Sequence, residues 1–136
     1  MADLRPVDER LRAILAPYRG RLAVADDGPG GLSLHLPGMA DDPNGYVCGV
    51  RPGKRYVSFY LMPVYAFPEL LESISKGLRS RMQGKSCFNF TVIDERLLSE
   101  LGGLTARGIA RYEEAVAAGA GPFAGPRFAA ARASGS

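Results

Sequence analysis

The sequence predicts an α+β domain: a two-layer sandwich in which helices pack on one face of a mainly antiparallel sheet of about five strands. Three observations lead there. Helical periodicity near both ends of the chain brackets a run of short alternating segments. The connections between the early segments are short, which favours antiparallel pairing over crossovers. With 136 residues, 46% of them hydrophobic, the chain is sized for one domain with a single core.

The elements follow in order. Val7, Leu11, Ile14, Leu15 and Tyr18 fall at helical spacing, with Pro6 suited to a first turn and Gly20 to an exit, so residues 7–19 read as an amphipathic helix. Around the DDGPGG turn, residues 22–25 and 32–36 read as a hairpin, with Leu32, Leu34 and Leu36 facing one way and Ser33 and His35 the other. A turn-rich loop, residues 39–45, leads to a strand at 46–50, and RPGK makes a tight connection into RYVSFYLMPVY. There Val57, Phe59 and Leu61 alternate with Tyr56, Ser58, Tyr60 and Met62 until Pro63 ends the pairing.

Leu70, Leu71, Ile74, Leu78 and Met82 share a helical side, which Gly77 divides into two short helices. A strand over residues 86–92 follows. Asp94 is placed to cap a final helix carrying Leu97, Leu98, Leu101, Leu104, Ile109 and Tyr112, weakened at Gly102 and Gly103. Residues 1–118 form the expected domain, and 119–136, rich in Gly, Ala and Pro, the expected flexible tail.

Seventeen basic residues face 14 acidic ones, a net charge of +3, with arginines spread along the chain and no basic arm. Nucleic acid is therefore disfavoured as a partner. Tyr46, Tyr56, Tyr60 and Tyr65 beside Lys54, Arg55 and Lys85 could stack bases, but the Gly- and Phe-rich signature of sheet-based RNA binders is missing. The N-terminal stretch carries Asp3, Asp8 and Glu9 without a long apolar run, so neither a signal peptide nor a membrane anchor is expected there. A cytoplasmic location follows, with Cys48 and Cys87 as free thiols.

The stretch RMQGKSCFNF raises the question of a phosphate loop. Such a loop needs a glycine where Arg79 stands, and it runs from strand to helix, the reverse of the order here. Gly84 is instead expected to cap a helix C-terminus in left-handed geometry, with Lys85 near the negative end of that helix. Alternation then sends Phe88, Phe90 and Val92 to the core and Cys87 and Asn89 to the opposite face. His35, Cys48 and Cys87 could in principle meet there as soft ligands, but they lack the paired spacing of a zinc site. One histidine without a nucleophile-elbow pattern argues against a hydrolytic triad. The pairs Asp26/Asp27 and Asp41/Asp42 are turn residues without calcium-loop spacing.

The blocks KRYVSFYLMPVY, PELLESISKGLRSRMQGKSCFNF and LLSELGGLTARGIARY resemble the YdhG-like family of small bacterial domains of unknown function, over roughly residues 46–114. The resemblance implies a frataxin-like sandwich, and a role as an iron chaperone for at least one relative. The acidic residues that could serve iron here are Asp3, Asp8 and Glu9, interleaved with Arg5, Arg10 and Arg12, whose charges oppose a hard cation.

The expectation is thus a non-enzymatic module without a cofactor. It would bind a small molecule or a protein on the uncovered sheet face through Tyr56, Ser58, Tyr60, Lys85, Cys87 and Asn89. Iron binding is the alternative. A third reading makes Cys87 a nucleophile activated by Lys85. The oligomeric state is left open.

Overall fold

A computed structural model describes residues 3–119, so the tail expected beyond them lies outside the described residues from position 120 onward. Helix α1 spans Arg5–Leu15 and passes into a 3-10 turn, Ala16–Tyr18. Strands β1 (Ala23–Gly28), β2 (Gly31–His35), β3 (Tyr46–Pro52) and β4 (Val57–Leu61) follow, then the short helix α2 (Met62–Ala66). A 3-10 turn at Pro68–Leu71 and helix α3 (Lys76–Arg79) lead to β5 (Cys87–Phe90) and helix α4 (Glu95–Ala117).

The sheet is an antiparallel meander whose strand order repeats chain order, β1-β2-β3-β4-β5. Register explains which side faces the helices. Leu32 pairs with Val50, Val50 with Phe59 and Phe59 with Phe88, while Pro52 pairs with Val57 and Val57 with Phe90. Directly opposed residues share a face, so these side chains form one apolar floor. Helices α1 and α2 lie against β3, and α4 packs on all three other helices. On α1, Val7, Leu11 and Leu15 recur every four residues and are buried.

Several expectations change. The strand starting at Cys87 stops at Phe90, so Val92 is 61% exposed rather than core. Met62 leaves the sheet and begins α2, since Pro63, lacking an N–H, costs nothing in a first helical turn. The two short helices expected between residues 68 and 82 are a 3-10 turn and the short α3, but the break falls before Gly77, which lies inside α3; Ser75 caps that helix, its hydroxyl accepting from Leu78 N–H at 3.1 Å. Gly84 does take the left-handed conformation, φ 83°, but α3 has ended at Arg79. It sits in a tight turn that folds Met82 back beside Phe88, with Gln83 N–H donating to the Cys87 carbonyl at 2.9 Å and Asn89 N–H to that of Arg81 at 2.8 Å. Lys85 therefore lies at no helix terminus.

Helix α4 runs unbroken through Gly102 and Gly103 for 23 residues. Each glycine costs about 1 kcal/mol of helix propensity. Burial of Leu98, Leu101, Leu104, Ile109 and Tyr112 on one stripe outweighs that cost. Asp94 caps the helix as expected, accepting from Leu97 N–H at 3.2 Å. Gly108 lets α4 approach α2 closely, because a Cβ there would lie 3.1 Å from Pro63 Cβ.

Candidate functional site

Opposite the floor, the sheet presents Ser33, Gly49, Arg51, Ser58, Tyr60, Cys87 and Asn89 to the side that the helices leave uncovered. Ser58, Tyr60, Cys87 and Asn89 come together as the alternation required. Ser58 pairs with Asn89 and Tyr60 with Cys87 across β4 and β5. The Ser58 hydroxyl donates to Asn89 Oδ1 at 2.7 Å, the Cys87 thiol reaches the same oxygen at 3.3 Å, and Asn89 Nδ2 donates to Gln83 Oε1 at 2.8 Å. This polar row is sunken and largely satisfied, with Ser58 only 7% exposed.

Tyr46 joins this face although the strand pattern alone would send it to the core with Cys48. An irregularity in the β2–β3 register between Leu34 and His35 reverses its side. Its ring lies over Gly49, a position with no side chain of its own, and packs edge-on to His35 and Tyr60 at centroid distances of 5.6 and 6.5 Å. Burial pushes its hydroxyl well above the ordinary phenol range. Arg51, exposed at the end of β3, is the other residue that sequence reasoning missed. Arginine beside a hairpin turn carries no special pattern; only register brings it to this face.

Two hollows meet here, and both are lined by Arg51 and Tyr60. One, about 320 Å³, is also lined by Asp26, Ser33 and Tyr46. The other, about 380 Å³, lies at the β3–β4 turn among Lys54, Arg55, Tyr56 and Ser58. Tyr56, 39% exposed, lines this second hollow.

Lys85 does not join the polar row. Its ammonium lies 5.9 Å from the centre of the Tyr65 ring, at the end of the sheet. Desolvation pushes the Cys87 thiol up, against smaller opposing contributions from hydrogen bonds with Ser58 and Tyr60.

The soft-ligand trio does not assemble either. Cys48 is fully buried on the core face, where it pairs with Leu34 and Leu61. His35 is buried, and its Nδ1 lies 2.9 Å from the Met39 carbonyl and 3.0 Å from that of Asp42. Both partners only accept, so that nitrogen carries the proton. No group of three or more His, Cys, Asp or Glu suited to a metal occurs among the described residues. Asp3 and Asp8 are engaged by Arg5 and Arg12 at 3.0 and 2.9 Å, and Glu9 is exposed.

No family model, curated protein or solved structure matches the chain. No helix among the described residues is long and apolar enough to cross a membrane.

Proposed function

We propose that the chain is a non-catalytic binding module, working inside the cell, that receives a small molecule or a protein segment on the uncovered sheet face. The observation that carries this reading is the meeting of two hollows at Tyr60 and Arg51, beside the Ser58–Asn89–Cys87 row. Aromatic walls with a few fixed polar groups are the usual lining of a ligand site. The thiol has no base in contact, since its hydrogen-bonding neighbours are Asn89, Ser58 and Tyr60. We read the domain as YdhG-like on the blocks quoted above. Iron is the weaker reading, because Asp3 and Asp8 already serve arginines.

The test is an NMR screen of the labelled chain against a broad metabolite and peptide library. Amides of Ser58, Tyr60, Cys87 and Asn89 are expected to move together, and Tyr60→Ala to abolish the response. Shifts confined to the helical side would remove this face from consideration.

A further inference from the structure

The hollow at the β3–β4 turn carries a chemical bias that the face as a whole does not. Its lining contains Arg51, Lys54 and Arg55, together with the hydroxyls of Tyr56, Ser58 and Tyr60, and no carboxylate. All three cations are exposed. Six arginines elsewhere are matched to acids, Arg5 to Asp3, Arg10 to Glu95, Arg12 to Asp8, Arg19 to Asp27, Arg21 to Glu113 and Arg111 to Glu69, whereas Arg79, Arg81, Arg96 and Arg107 make no ion pair among the described residues; what sets this hollow apart is that its cations line one space. Among the described residues, no acid stands within ion-pair distance of Arg51, Lys54 or Arg55.

We propose that this hollow binds the phosphate group of a small phosphomonoester. The inference rests on the reading of the open face as the working surface and names the chemistry of its ligand. Three cations on one hairpin repel one another, and a bound dianion reverses the sign of that interaction. Guanidinium forks match phosphate oxygens in pairs, and the flexible ammonium of Lys54 adds a point charge. A single carboxylate offers half the charge and fewer acceptors. The Ser58 hydroxyl proton is already given to Asn89, so Ser58 contributes the floor, and the phenol of Tyr56 is the neutral donor at the rim. The organic body extends toward Tyr60, whose ring also borders the neighbouring hollow and offers a face for stacking.

The experiment titrates the full chain with inorganic phosphate, adenosine monophosphate, a short single-stranded oligonucleotide and sodium chloride, at constant ionic strength, followed by amide shifts. Phosphate is expected to move residues 51–56 saturably where chloride does not, and the mononucleotide to move Tyr60 as well. The double variant Arg51→Gln/Arg55→Gln should lose affinity about tenfold or more. Both positions are exposed, so its melting temperature should stay within a few degrees of the parent's, and Lys54→Gln gives a milder second reading. Equal responses to chloride and phosphate, or undiminished binding by the double variant, would overturn the assignment. So would binding of the oligonucleotide alone. Failure here, with Ser58 and Asn89 still responding in the broad screen, removes the phosphate assignment and leaves the face as a site for another ligand.

Discussion

Phe88 and the residues beside it decide which chemistry reaches the surface. Phe88 is fully buried, and Phe88→Ala should cost about 3–5 kcal/mol, measured by urea unfolding. A loss below about 1 kcal/mol would mean that the ring is not core. The neighbouring thiol tests the other parity. Alkylation followed by mass spectrometry should modify Cys87 in the native state, with a rate that keeps rising above the ordinary thiol pKa of about 8.5. Cys48 should be spared until the chain unfolds. Strict alternation made the Phe88/Cys87 division legible in the sequence. Val92 and Tyr46 escaped it for a local reason: β5 ends before the first, and a register irregularity turns the second over.

Between elements, two glycines give opposite predictions. Gly102 lies inside α4, and an added Cβ there would meet nothing within 4 Å; Gly102→Ala should therefore stabilise by about 0.5–1 kcal/mol, seen as a rise in melting temperature. Gly49 is closed from both sides, since a Cβ would stand 2.5 Å from the Leu32 carbonyl oxygen and against the Tyr46 hydroxyl. Gly49→Ala should destabilise by about 1–3 kcal/mol and, by displacing Tyr46, alter the hollow beside it. Identical effects of the two substitutions would contradict this packing. The long apolar period of the last helix was readable, but its continuity across Gly102 and Gly103 was not, because tertiary burial outweighs local propensity there. Between α2 and β5 two short helical pieces were legible, but not where they break or end. The apolar residues there fit a helical period, yet chain direction changes at Pro68, Ser75 and Gly84.

Across the whole molecule, the first and last helices are joined at the surface by Arg10 and Glu95, with Arg10 Nη2 donating to Glu95 Oε1 at 2.6 Å. The hydrogen bond from Arg10 holds the Glu95 carboxyl below the ordinary glutamate range. A depressed carboxylate stabilises the folded state above its unfolded pKa, and that contribution is lost as the pH falls through the folded value. Arg10→Gln should thus melt slightly lower than the parent near neutrality, with the two curves converging below about pH 4. A gap unchanged by acid would assign the effect to packing. Such pairings are invisible in a linear reading, where Arg10 and Glu95 stand 85 positions apart, whereas the one-sided sheet followed from strand spacing alone. The meander has a kinetic corollary. Strands β1 to β4 can each zip onto the one synthesised just before it, so loop closure stays cheap there, while β5 must close across residues 62–86. Helix α4, the last described element, then packs on α1, α2 and α3 and completes the helical layer. A nascent chain stopped before Glu95 should already carry hairpins and still expose greasy surface to chaperones.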